Sequence, residues 1–400
     1  GAPVAGPPAT LFMVNLAEAR HFNEIFRALG HDYADAFIRE GAARLKAALN
    51  LDVQLYHVSL LSFAFIRRME KPAELAASLA YVFSQPLICQ GIPLNNRTGI
   101  GMVSYDPGSV PPAELLRTAL TAAQDSRSRP EGWTFYDSGA DSAHRRAFTL
   151  LTDFTRALQA KDQLSLHFQP KIDFATGRCA SAEALLRWNH PQFGAVSPGE
   201  FIPLVETTAL IHSLTRWVTE RAVAQSARWR REGIDLSVAI NISPLNFARA
   251  EFSNELIGSL ERHKLPGSRI QIEITESSLI TNFDIVRSQL VALRACGVNA
   301  AVDDFGIGFS NLSNLTRLPM NVLKLDQSLI QRMETDRRTG LLVRNVIEMA
   351  HRLDYRIIAE GIESASSYQQ LAEWGCDEGQ GYFMSRPLAP AQFAEWLHKR

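Results

Sequence analysis

Val298-Asn299-Ala300-Ala301-Val302-Asp303-Asp304-Phe305-Gly306 puts two adjacent carboxylates at the end of a short apolar run. Such neighbours repel each other and lose hydration when half-buried, so a fold retains them chiefly where a cation sits. Asp and Gly are also ordinary turn residues, and this stretch alone fits a turn equally well. The turn reading loses ground further along the chain, where an apolar stretch followed by a polar group recurs. Glu183, Asn241, Glu273, Asp326 and Glu360 each end or follow such a stretch.

The rhythm around these residues is strand, helix, strand, helix. Strands are predicted at 165–169, 181–186, 237–242, 270–275, 299–302, 322–325, 356–359 and near 381–383. Helices are predicted at 213–231, 253–263, 283–296, 340–353, 364–374 and 390–399. Strands and helices alternating over roughly 235 residues have the size and pattern of an α/β (β/α)8 barrel. Active sites of such barrels lie at the carboxyl ends of the strands, where all the residues above fall.

Residues 11–140 follow a different grammar. Helical patterns run through Phe22, Ile25, Phe26 and Leu29 and over 33–49, and alternating runs at 53–58 and 62–66 read as a hairpin. Helices at 72–82 and 112–125 and a strand near 98–104 complete a smaller α+β domain. A helical linker is expected at 141–162 and the barrel domain at 163–400.

Of the 400 residues 46% are hydrophobic and 21% charged, as in ordinary globular proteins, and the formal net charge is −1. No global field therefore draws in DNA, RNA or an anionic membrane, and an anionic substrate must be captured locally. Cys89, Cys179, Cys296 and Cys376 are scattered, which argues against a zinc site and fits a reducing, cytoplasmic setting. No apolar run approaches the roughly 18 residues of a membrane span. Residues 1–10 are rich in Ala, Pro and Gly and read as a linker, compatible with a longer, even membrane-anchored, parent chain.

Carboxylates with one amide and no thiolate suit hard cations, Mg2+ or Mn2+. A shared carboxylate can bridge two ions, the arrangement used in phosphodiester cleavage, and Asp303 with Asp304 is the natural pair for it. Lys324 and Asp326, two apart on one strand, face the same way, and Lys324 is placed to orient a water or neutralise phosphate. Arg187 is suited to grip a phosphate with two N–H donors. Gln169 and Gln380 are candidates for substrate edges. The glycines of Phe305-Gly306-Ile307-Gly308-Phe309-Ser310 suit a lid or dimer contact. Asp304-Phe305-Gly306 matches a kinase triplet, but neither a glycine-rich phosphate loop nor a His-Arg-Asp loop accompanies it. His31-Asp32 suits a helix start better than a phosphohydrolase site, and a purely structural protein needs no such convergence of oxygen ligands.

Glu183-Ala184-Leu185 with Leu186-Arg187-Trp188 resembles the signature of the EAL family of cyclic di-GMP phosphodiesterases. The resemblance extends in order through Gln169-Pro170, Asn241-Ile242-Ser243, Glu273-Ile274-Thr275-Glu276, Asp303-Asp304-Phe305-Gly306, Lys324-Leu325-Asp326, Glu360-Gly361-Ile362-Glu363 and Gln380-Gly381-Tyr382. It implies a barrel whose first strand is antiparallel and metal-dependent hydrolysis of cyclic di-GMP to linear pGpG. By the same resemblance, Glu183, Asn241, Glu273 and Asp303 would hold one metal, and Asp303, Asp304 and Glu360 the second. Lys324 would hold the nucleophilic water, with Gln380 nearby. Gln169, Leu185, Arg187, Asp326 and Gln380 are expected to bind the dinucleotide. Glu276 is expected to anchor the loop beginning at Phe305, which the family links to dimerisation, so a homodimer through this domain is implied. Ca2+ is expected to inhibit. Thr207-Thr208-Ala209 stands where an acidic residue and a glycine are commoner.

The first domain is similar to a GGDEF, or diguanylate cyclase, domain in Phe22, Gly30-His31 and the order of helices and hairpin. Its hairpin reads Ser59-Leu60-Leu61-Ser62-Phe63, without the glycines and carboxylates that chemistry needs, and Asn15 stands where an Asp is expected. Leu49-Asn50-Leu51-Asp52 keeps the Asp of the inhibitory site but lacks its Arg. A regulatory, non-catalytic domain follows. The alternative function is a silent cyclic di-GMP receptor, which the complete ligand set disfavours.

Overall fold

The computed structural model describes residues 8–18, 22, 23, 27, 30–49, 53–247, 249, 251–275, 283–306 and 317–399. They form two units that meet in sequence between Arg146 and Ala147, inside the helix Ser138–Gln159.

The first unit contains strands β1 (Ala9–Asn15), β2 (Tyr56–Ser59), β3 (Ser62–Arg68), β4 (Leu87–Cys89), β5 (Ile92–Leu94), β6 (Gly99–Tyr105) and β7 (Trp133–Phe135). Five of these make one sheet in the order β2-β3-β1-β6-β7, and β4 pairs with β5 apart from it. Side chains of the central β1 alternate between two apolar layers. Phe12 and Val14 pack with helices His31–Leu49 and Pro72–Phe83, while Leu11 and Met13 pack with helix Pro112–Asp125. The expected hairpin is β2–β3, turning at Leu60-Leu61. Ile25, Phe26 and Leu29 of the expected first helix lie outside the described residues.

The second unit contains β8 (Leu164–Asp173), β9 (Cys179–His190), β10 (Gly194–Val196), β11 (Ser237–Asn241), β12 (Ile270–Thr275), β13 (Asn299–Phe305), β14 (Val322–Leu325), β15 (Arg356–Ala359) and β16 (Glu378–Gly379). The sheet runs β9-β11-β12-β13-β14-β15-β16-β8 and closes through β8–β9, with β10 appended to β9. Closure pairs what would otherwise be exposed strand edges. Strand β8 is antiparallel to both neighbours and the remaining barrel pairings are parallel. Outward side chains such as Ile240, Ile272, Val302, Leu323 and Ile357 join one core with the apolar faces of the surrounding helices. Ala301, Val322 and Ile358 form a separate small apolar cluster. Each lies two residues before a site residue, Asp303, Lys324 or Glu360, which puts this cluster one layer below the barrel mouth.

The eighth strand corrects the sequence reading: it is Glu378–Gly379, not 381–383. Beyond it the chain wraps Ile362, whose N–H donates to the Gln380 carbonyl at 3.1 Å and whose carbonyl accepts from the Phe383 N–H at 3.0 Å. Only glycine fits at 381, because a Cβ there would lie 2.0 Å from the Ile362 carbonyl oxygen. Tyr382 and Phe383, which suggested a strand, are exposed. Helices Pro198–Glu206, Pro244–Phe247 and Gln327–Met333 were not foreseen, being too short to show a period. At 207–209 the Thr208 hydroxyl accepts from the Leu210 N–H at 3.2 Å, supporting the start of helix Leu210–Arg231. Among the described residues no helix is long and apolar enough to cross a membrane.

Candidate active site at the barrel mouth

In a regular strand Asp303 and Asp304 would point to opposite faces. The β13–β14 register shifts between Val302 and Phe305, and Asp304 adopts φ +56°, a left-handed conformation uncommon outside glycine. This bulge turns both carboxylates into one cavity of about 310 Å3, while the Asp304 N–H donates to Asp303 Oδ1 at 3.0 Å. Strained backbone of this kind persists where surrounding structure imposes it, commonly at functional sites.

Gln169, Glu183, Leu185, Asn241, Lys324, Asp326, Glu360 and Gln380 line the same cavity. Gln169 is registered opposite Glu183 and Asn241 beside Glu273, so the strand ladder itself brings the distant motifs together. Among the described residues the wall does not include Glu273 or Arg187. Arg187 shares a strand face with Glu183 and Leu185 by alternation, and its guanidinium donates to the Leu186 carbonyl at 2.9 Å. Burial lowers its pKa. Glu276 and residues 307–310 lie outside the described residues.

Lys324 is the electrostatic centre of the site. Its Nζ lies 2.6 Å from Glu273, 2.6 Å from Glu360, 3.0 Å from Asp303 and 3.8 Å from Glu183. Burial alone would lower its pKa, but the surrounding carboxylates raise it well above the ordinary lysine value. One ammonium cannot neutralise them all. Burial, together with the charges of Asp303 and Glu183, pushes Glu360 up to about 8 against the pull of Lys324. Burial and the nearby Asp303 and Asp326 raise Asp304 as well. Glu273 would also be raised by its burial, yet Lys171 and Lys324 hold it at about 2.

Amides complete the arrangement. Asn241 Nδ2 donates to Glu183 Oε1 at 2.6 Å, and Gln380 Nε2 donates to Glu183 Oε2 at 2.7 Å and to Gln169 Oε1 at 3.0 Å. Gln380 Oε1 is buried with no hydrogen-bond partner among the described residues. The residue the sequence reading missed is Lys171, fully buried, with its Nζ 2.5 Å from Glu273 Oε1. Its signal was its place two residues beyond Gln169 on β8, facing the same way.

A divalent cation fits this donor set. Carboxylate and amide oxygens, with no thiolate or imidazole in the described wall, suit Mg2+ or Mn2+. Lys324 Nζ faces four carboxylates, Glu273, Glu360, Asp303 and Glu183, so the site is short of positive charge, and Gln380 Oε1 lacks a donor among the described residues.

Residues 152–387 match the model of the EAL domain family. The chain is 37% identical over 394 residues to cyclic di-GMP phosphodiesterase PA2567 of Pseudomonas aeruginosa, covering 98% of this chain and 67% of that protein. It is 31% identical over 390 residues to cyclic di-GMP phosphodiesterase NbdA of the same organism, covering 94% of this chain and 49% of the relative. The chain thus spans about half to two thirds of the length of these curated relatives. Among solved structures, the MucR phosphodiesterase in complex with c-di-GMP shares 37% identity and superposes with a TM-score of 0.59, over 61% of this chain and 99% of that one. With the matched region spanning the whole barrel and its mouth, the chain belongs to the EAL domain family.

Proposed function

We propose that the second unit hydrolyses cyclic di-GMP to linear pGpG and that the first, a GGDEF-like unit without cyclase chemistry, regulates it. The observation that carries this reading is the cavity in which Asp303 and Asp304 face Lys324, Glu183 and Glu360. The phosphodiesterase names of the relatives and the c-di-GMP-bound neighbour support it.

Glu183, Asn241, Glu273 and Asp303 would hold one divalent ion, and Asp303, Asp304 and Glu360 a second. Such ions supply neutralisation of phosphate charge and a more acidic water. Lys324 would hold the attacking water in line with phosphorus, and Gln380 Oε1 would accept a hydrogen bond from it. The P–O3′ bond breaks, the 3′ oxygen takes up a proton, and the phosphate stays on the 5′ side of the linear product. Leu185 packs against the dinucleotide, while Gln169, Arg187 and Asp326 orient its polar edges. Ca2+ inhibits in this scheme, because it prefers larger and looser coordination. Dimerisation through the barrel and a role for Glu276 in transmitting it belong to the same reading.

In the first unit, Arg127 donates to Asn15 Oδ1, and Asn15 Nδ2 donates to Ser62 Oγ at 2.7 Å. A guanidinium already occupies the side-chain oxygen where a cyclase would place a metal, which supports a non-catalytic role.

The test is chromatographic. Purified protein with cyclic di-GMP and Mg2+ or Mn2+ should yield pGpG, abolished by EDTA and by Asp303→Ala. Binding without cleavage would replace the enzyme by a receptor, and the absence of both binding and cleavage would refute the functional reading.

A further inference from the structure

Glu273 is pinned from both sides by lysines. Its side chain is fully buried, Lys171 Nζ lies 2.5 Å from Oε1, and Lys324 Nζ lies 2.6 Å from Oε2. The two lysines differ in what they can do next. Lys324 lines the open cavity and also contacts Glu360 and Asp303, so it has other acceptors if Glu273 Oε2 engages something else. Lys171 has no place in the described cavity wall, is 0% exposed, and donates to Glu273 Oε1. Its ammonium sits on β8, which is held on both sides by ladder pairing, so it cannot swing to solvent without opening the barrel.

We propose that Lys171 is a specificity-determining residue for the metal: its ammonium, held against Oε1, disfavours a second cation there and biases Glu273 to bind through Oε2 alone. This rests on the metal-dependent reading above. The physical basis is the difference between the candidate ions. Ca2+ accepts six to eight oxygens and takes carboxylates through one oxygen or two, whereas Mg2+ demands near-ideal octahedral geometry. A glutamate biased to bind through one oxygen withholds from Ca2+ the extra ligand it would accept. It costs an octahedral ion nothing. Lys171 acts through Glu273 as a partner of a ligand, the kind of group whose loss typically changes metal affinity about 10-fold to 100-fold.

The experiment measures binding, with no nucleotide present. Mn2+ bound to the full chain is followed by its paramagnetic resonance signal, and Ca2+ by its displacement of that Mn2+. Lys171→Met frees Oε1, and the preference for Mn2+ over Ca2+ should fall by about 10-fold. Lys171→Arg keeps an N–H donor for Oε1, so it should retain the wild-type ratio, whereas Lys171→Gln, shorter by roughly one bond, stops short of Oε1 and should lose preference as the methionine variant does. An unchanged ratio in a folded Lys171→Met would overturn the proposal. If the methionine variant fails to fold, Lys171→Gln takes its place, and an unchanged ratio there would overturn the proposal equally. Wild-type protein that binds no Mn2+ would overturn the metal reading and this inference together. Cyclic di-GMP hydrolysis by a wild type whose ratio matches that of Lys171→Met would overturn this inference alone.

Discussion

Replacing Lys324 by Met removes the ammonium that touches Glu273, Glu360, Asp303 and Glu183. Four contacts do not mean four losses. Glu273 keeps Lys171 at 2.5 Å, and Glu183 keeps the Asn241 and Gln380 amides at 2.6 and 2.7 Å. Asp303 keeps the Asp304 N–H at 3.0 Å, and Glu360, with its pKa near 8, is already largely neutral at pH 7. What remains is the cost of breaking one buried pair, about 3–5 kcal/mol. For a unit of about 250 residues that lowers the melting temperature by roughly 6–10 °C. The assay is calorimetric unfolding of the whole chain in EDTA, following the barrel transition. Added Mg2+ or Mn2+ should then raise the midpoint more in the variant than in the wild type, because the ion replaces the missing charge. A variant melting within about 2 °C of wild type in EDTA, or showing no larger response to metal, would refute the claim that Lys324 is the main counter-charge.

Asp304 holds a left-handed backbone, so Asp304→Gly should be more stable than Asp304→Ala by about 1 kcal/mol in urea unfolding, while both lose hydrolysis. Gly381→Ala should destabilise by about 2 kcal/mol or more, since its Cβ meets the Ile362 backbone; wild-type urea stability would contradict that packing. Without metal, the raised Glu360 should make stability fall as pH rises from about 4.5 to 8. The pKa of Glu360 is raised on folding, so its contribution is complete below about 4.5 and is lost as pH rises through about 8, at no more than about 1.4 kcal/mol per pH unit. Glu273 has the opposite sign: held at about 2, it contributes stability above about 4.5 that disappears as pH falls through 2. Urea midpoints in EDTA at pH 3, 5 and 8 should therefore be highest at 5.

Much of the barrel was legible because each buried strand is a short apolar run ending in a polar group, and the strand–helix alternation fixes where those ends meet. The last strand was misplaced because Tyr382 and Phe383 look like strand residues, while the two-residue Glu378–Gly379 carries no apolar signal. The cavity residues could be named from spacing and motif. The bulge that aims Asp303 and Asp304 together could not, since it is a register shift between neighbouring strands. Lys171 was hidden for a related reason: a lysine inside a strand reads as solvent-facing until its buried partner Glu273 is found on β12, 102 residues away.

Barrel closure has a consequence for assembly in time. The hairpin of β8 and β9 joins neighbours in sequence and can form early, but the seam from β16 to β8 is registered at only two positions. It closes a loop in which Gln380 and Gln169 are 211 residues apart, and late, non-local steps of that kind are slow. Gln380 reaches Gln169 and Glu183 only across that seam. A nascent or half-folded chain therefore has no finished cavity. The site comes into being with the last strand, so its activity would report completion of folding.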